Sequence, residues 1–123
     1  FVTGVQTCAL PISFRKKALE LIQVSKTFED AVSSIEQERK EPVVTIATSA
    51  KKTTGSITIE VLKQKLDNKA SHVIIFGTAW GLADELIDIC DFTLDPIFGN
   101  TDYNHLSVRS AASIYLDRII NGR

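Results

Sequence analysis

The sequence predicts an α/β domain, a mainly parallel sheet with helices on both faces. Three observations predict it. Uncharged apolar runs at residues 43–47 (VVTIA) and 72–76 (HVIIF) have the character of strands covered on both faces. Apolar residues at helical spacing follow each run. Strand and helix signals alternate at intervals of roughly 25 residues, the rhythm of βαβ units, with no internal repeat or low-complexity linker.

Residues 1–13 (FVTGVQTCALPIS) carry neither period and lack the basic start of a signal peptide. They resemble a translated sequencing-library adapter, which implies a non-native segment ahead of a domain at 14–123 whose own N-terminal part is missing. Residues 18–24 (ALELIQV) are expected to form a strand. Thr27 offers an N-cap hydroxyl to a helix with Glu29 and Asp30 in its first turn and Phe28, Ala31, Val32 and Ile35 on one face. Polar residues end that helix, and Pro42 marks the boundary.

After the strand at 43–47 comes a polar loop, 48–56. Ile59, Leu62 and Leu66 mark the next helix, and 68–71 is a turn. The strand at 72–76 leads through loop 77–81 to a helix faced by Leu82, Leu86 and Ile89, running to about Cys90. Residues 92–94 read as a short last strand. Val108, Ala111, Ala112, Tyr115, Leu116 and Ile119 face a long final helix, stopped at Gly122.

The 123 residues suit one domain, and 44% hydrophobic with 24% charged content matches a globular protein with a real core. No apolar run approaches the roughly 18 to 20 residues that span a bilayer. The net charge of −1 gives no global footprint for a polyanion. Of the basic clusters, only Lys51-Lys52 follows a strand-end loop and so reads as functional rather than solvated surface. Cys8 and Cys90 form neither a metal spacing nor a disulfide framework, and Cys90 reads as a small core residue. Two histidines without clustered acids make no zinc site, so no metal is expected, and a cytoplasmic setting is the default.

In a parallel sheet, ligands bind beyond the carboxyl ends of the strands. The loops that leave those ends are 48–52, 77–81 and 96–107. Gly77, Gly81 and Gly99 lack a Cβ and would let the backbone come close to a ligand, although their spacing matches no dinucleotide or triphosphate signature. Trp80 either covers a ligand or packs on the following helix. Asp102, Tyr103, Asn104, His105, Ser107 and Arg109 crowd the third loop, where Ser107 is also a natural helix cap and Asp102 a natural turn residue.

FGTAWGLADELI (76–87) and DPIFGNTDYNHLSVRSAASIYLDRI (95–119) resemble the second and third motifs of the SPOUT superfamily of RNA methyltransferases, and the similarity runs from about Lys17 to the C-terminus. The bacterial branch related to the tRNA guanine-N1 methyltransferases resembles the chain more closely. The resemblance implies a C-terminal trefoil knot, an S-adenosylmethionine cofactor, an RNA substrate, with tRNA the expected one, and a homodimer. It carries cofactor contacts onto Thr48, Ser49, Phe76, Gly77, Thr78, Gly81, Leu82, Pro96, Ile97, Gly99, Asn104, Leu106 and Ser107. Where the ribose-methylating branch has an acidic residue between its glycines, this chain has Thr78, Ala79 and Trp80, and Ser107 stands where that branch uses Asn. Base methylation, such as at guanine N1, is therefore favoured over ribose.

A base nitrogen must lose a proton. Asp102 is the expected general base, on the premise of a semi-buried loop, with His105 as the second candidate. Arg109 is expected to hold a phosphate or a base oxygen with its planar fork. The alternatives are a non-catalytic flavodoxin-like ligand-binding module, and a truncated fragment that binds cofactor without activity.

Overall fold

The computed structural model describes residues 2–3, 12–103 and 105–122. The chain divides into two compact units, Phe1–Pro42 and Val43–Arg123.

In the first unit a two-residue strand β1 (Val2–Thr3) pairs antiparallel with β2 (Gln23–Val24), and helix α1 (Ile12–Glu20) lies between them in sequence. The strand expected over 18–24 is thus found only at Gln23–Val24, while residues 18–20 are the last turn of α1. Lys16, Lys17, Ala18, Leu19 and Glu20 are all good helix formers. Leu19 and Leu21 stay about 60% exposed, so no sheet face holds them. Helix α2 (Phe28–Arg39) starts as expected, with the Asp30 amide donating to Thr27 Oγ1 at 3.1 Å. It stops at Lys40, which takes the left-handed conformation (φ 55°) that lets its amide close on the Glu36 carbonyl.

The second unit holds a three-stranded parallel sheet in the order β4-β3-β5, built from β3 (Val43–Ala47), β4 (Ser71–Ile75) and β5 (Phe92–Thr93). Helix α3 (Ile59–Lys65) connects β3 to β4, α4 (Asp84–Ile89) connects β4 to β5, and α5 (Val108–Asn121) ends the unit. The central strand β3 is the most buried, as its uncharged β-branched sequence requires. Ile46, Leu62, Leu94 and Tyr115 form the core, with Ile57, Ile74, Phe76, Ile97 and Ile119 packed around it. Full burial of side chains the size of Ile46, Leu62 and Leu94 stabilises by about 1.5–3 kcal/mol each.

Two expected helix faces shift at their ends. Leu66 is extended and 40% exposed just beyond α3, Leu82 precedes α4, and Ile89 is 59% exposed. Both helices have seven residues or fewer, so positions at or just beyond their ends fall off the packed stripe. Cys90 is half-buried, and its thiol donates to the Leu86 carbonyl at 3.2 Å. Burial pushes its pKa up, against a hydrogen bond with Thr45 that lowers it. Helix α5 begins and ends as expected, at Ser107 and at Gly122 (φ 73°). Its Val108 and Leu116 are over 40% exposed, so the packed stripe is narrower than the sequence pattern and centres on Tyr115.

The last strand is flanked on both sides by one stretch of chain. Leu94 donates its amide to Ala47 at the end of β3, at 2.9 Å, and pairs with Ile57 on its other side. The Ile57 amide donates to Thr93 and its carbonyl accepts from Asp95, both at 2.8 Å. Residues 48–56, which join Ala47 to Ile57, therefore bridge from one neighbour of the last strand to the other.

Candidate functional site

All three strands point the same way, so the loops after β3, β4 and β5 leave the sheet at one edge. They meet at a cavity of about 290 Å³, near the lower end of the sizes common for small-ligand sites. The first loop contributes Thr48, Ser49, Lys51 and Thr53 to its walls, and the second contributes Phe76, Gly77, Thr78, Trp80, Gly81 and Leu82. Ile97, His105 and Leu106 come from the third loop, and Val108, Ala111 and Tyr115 from α5.

Local hydrogen bonds shape each wall. Thr48 is buried, and both its amide (3.1 Å) and its hydroxyl (2.8 Å) donate to the Ile75 carbonyl, which ties the end of β3 to the end of β4. The Lys51 amide donates to Ser49 Oγ at 3.1 Å, a short turn that sets where Lys51 leaves the backbone. Loop 77–81 closes on itself through Gly81 N–H to the Thr78 carbonyl at 2.8 Å, with Gly81 at φ 78°. A Cβ on Gly77 would stand 2.4 Å from the Gly81 carbonyl carbon. The absence of a side chain at Gly77 thus serves this turn closure, at a position that also lines the cavity. At Gly99 a Cβ would meet nothing nearer than the Tyr103 carbonyl oxygen at 4.0 Å.

Asp95 fastens the third loop. Its carboxylate accepts from Ser56 Oγ and from Lys52 Nζ at 3.0 Å, and its carbonyl accepts from Tyr115 Oη at 2.7 Å. The Ser56 hydrogen bond, then the Lys52 ammonium, hold the Asp95 carboxyl below its ordinary range. Burial pushes the Tyr115 phenol up to about 12, so it stays a neutral donor. Lys52, expected to act with Lys51, is taken up by this pairing.

Of the expected cofactor contacts, Thr48, Ser49, Phe76, Gly77, Thr78, Gly81, Leu82, Ile97 and Leu106 line the cavity. Pro96 is buried, and Pro96, Gly99 and Ser107 lie outside the lining. Ser107 caps α5, its Oγ accepting from the Ser110 amide at 3.2 Å. Asn104 lies outside the described residues. Of the expected catalytic groups, His105 reaches the cavity, its ring 5.9 Å from that of Tyr103. Asp102 and Arg109 do not line it. Asp102 is exposed, so the semi-buried setting expected for it is not found in this chain. Trp80 is 97% exposed and does not pack on the following helix. Sequence reasoning missed Asp84 and Tyr115 as cavity residues. Asp84 stands just after the second loop, within reach of the rule that had marked that loop, whereas Tyr115 looked only like a core position on a helix stripe.

The arrangement defines an α/β domain with a ligand cavity at the carboxyl edge of a parallel sheet. Residues 6–121 match a family described as SAM-dependent RNA methyltransferase, and the chain belongs to that family. The match begins within the stretch that resembles adapter sequence. The chain is 41% identical over 106 residues to a tRNA (guanine-N(1)-)-methyltransferase of Oleidesulfovibrio alaskensis, and 34% identical to one of Nitratidesulfovibrio vulgaris. Each alignment takes in 86% of this chain and 24% of the relative. It is 31% identical over 108 residues to an uncharacterised protein of Aquifex aeolicus, covering 87% of this chain and 53% of that protein. The chain thus spans about half or a quarter of the length of these relatives. The family's dependence on S-adenosylmethionine implies that cofactor. Among the described residues no helix is long and apolar enough to cross a membrane, and no group of His, Cys, Asp and Glu could hold a metal ion.

Proposed function

We propose that residues 14–123 form the cofactor-binding domain of a SPOUT-type methyltransferase that modifies a base nitrogen of tRNA, such as guanine N1. The observation that carries this reading is the convergence of three strand-end loops on one cavity, in a chain of the SAM-dependent RNA methyltransferase family. The names of the two tRNA (guanine-N(1)-)-methyltransferases support the choice of base. The same reading makes residues 1–13 an adapter-derived segment, puts helices on both faces of the sheet, and threads the segment after β5 into a trefoil knot. A cytoplasmic homodimer belongs to the reading as well, with Phe98, Leu116 and Ile120 as exposed apolar surface.

The residues fit an adenosyl group. Ile87, Ile97, Leu106 and Ala111 offer an apolar wall for a purine, while the Thr48–Thr53 and Gly77–Gly81 stretches offer hydroxyls and backbone groups for its polar edges. S-adenosylmethionine, when bound, supplies an electrophilic methyl group. The chain's part is to hold the acceptor in line and to take its proton. His105 takes the proton in this reading, ahead of Asp102, because His105 borders the cavity and Asp102 does not. Arg109 is exposed at the start of α5, with no ion pair among the described residues, and is free to hold a phosphate or base oxygen.

The test is transfer of labelled methyl from S-adenosylmethionine to tRNA transcripts by this chain, with nucleoside analysis of the product. Label in 1-methylguanosine, reduced at least about tenfold by His105→Ala, supports the reading. Label in a 2′-O-methylated nucleoside overturns the base assignment. Cofactor binding with no transfer to any transcript identifies a binding-only fragment.

A further inference from the structure

The cavity has two charged residues of opposite sign in its lining, Lys51 from the loop after β3 and Asp84 from the start of α4. Both residues are exposed. Neither makes an ion pair among the described residues, and the neighbouring Lys52 is the one that pairs with Asp95. Lys51 is also directed by its own turn, through the hydrogen bond of its amide to Ser49 Oγ. The rest of the lining is neutral apart from His105, and its deeper part is apolar, with Ile97, Ala111 and the buried Tyr115. A ligand suited to such a cavity has a flat apolar body and a zwitterionic tail, an ammonium and a carboxylate close together.

We propose that Lys51 and Asp84 form a zwitterion clamp for the amino-acid tail of the cofactor, Lys51 on its carboxylate and Asp84 on its ammonium. This rests on the cofactor reading above and adds to it which residues select the amino-acid end. Charge-assisted hydrogen bonds are about twice as strong as neutral ones, so the pair would set affinity for the tail while leaving the nucleoside end untouched. Their exposure keeps the clamp out of the folding core.

Calorimetric titration of the wild-type chain, Lys51→Met and Asp84→Asn with three ligands tests this. The ligands are S-adenosylmethionine, S-adenosylhomocysteine, which keeps the amino-acid tail without the sulfonium, and methylthioadenosine, which lacks the tail. Each variant is expected to lose about tenfold or more in affinity for the first two and to bind methylthioadenosine as wild type does. Unchanged methylthioadenosine binding also shows that the variants are folded. Three results overturn the clamp while leaving the cofactor reading intact: equal loss for all three ligands, no loss for any, or an Asp84→Asn loss with S-adenosylmethionine but not with S-adenosylhomocysteine, which would move Asp84 to the sulfonium. Failure of the wild-type chain to bind any of the three overturns both readings.

Discussion

Asp95 joins three parts of the C-terminal unit. Its carboxylate takes Ser56 and Lys52 from the first loop, its amide donates to Ile57, and its carbonyl takes the Tyr115 hydroxyl from α5. The Lys52 pair alone contributes little, because the lysine side chain is 62% exposed and such pairs are worth about 0–1 kcal/mol. The Ser56 hydrogen bond is the larger cause of the lowered carboxyl pKa. Since the folded value lies below the ordinary 3.8, the stabilisation is fully present above that pH and is lost as pH falls through the folded value. Urea unfolding followed from pH 5 downward should show Asp95→Asn less acid-sensitive than wild type on the acid side of 3.8. Equal acid sensitivity in the two proteins would remove Asp95 from this role. None of this was legible in the sequence, where Asp95 stood only as the residue before Pro96. Its partners lie about 40 residues upstream and 20 downstream, as the separations of its hydrogen bonds record, and no local pattern encodes such contacts.

At the scale of elements, the buried strand β3 and helices α2 and α5 were legible because each carries its own periodicity and cap. The stretch at 18–24 was legible only at its end, because ALELIQV has both strand-like apolar content and helix-forming residues: residues 18–20 join the helix begun by the preceding lysines, and Gln23–Val24 form the short strand. Register inside the sheet was also hidden. Strand β5 pairs with β3 only at Ile46↔Phe92 and Ala47↔Thr93, so the ladder stops short of Thr45. Asp91 completes it. Its carboxylate accepts from the Thr45 amide at 2.8 Å and from the Thr45 hydroxyl at 3.1 Å, and its own amide donates back to that hydroxyl at 3.0 Å. Thr45 is buried, so losing this carboxylate leaves its amide without a partner. Asp91→Ala should destabilise the chain by about 1–3 kcal/mol in urea unfolding. A change below about 0.5 kcal/mol would mean that water or another group satisfies Thr45 as well.

For the whole molecule, the account depends on loops 48–53, 77–82 and 97–106 acting together as one ligand site. Their convergence follows from the parallel strand directions and was legible in outline, since parallel sheets gather their ligand loops at the carboxyl edge. Which side chains of the third loop reach the cavity was not legible, because a dense polar run does not say which members turn inward. His105 and Leu106 do, and Asp102 does not. Amide hydrogen exchange with and without saturating S-adenosylmethionine tests the shared site most directly. The account predicts slowed exchange in all three loops at once, with α2 unchanged. Protection confined to a single loop, or none in any of them, would contradict it.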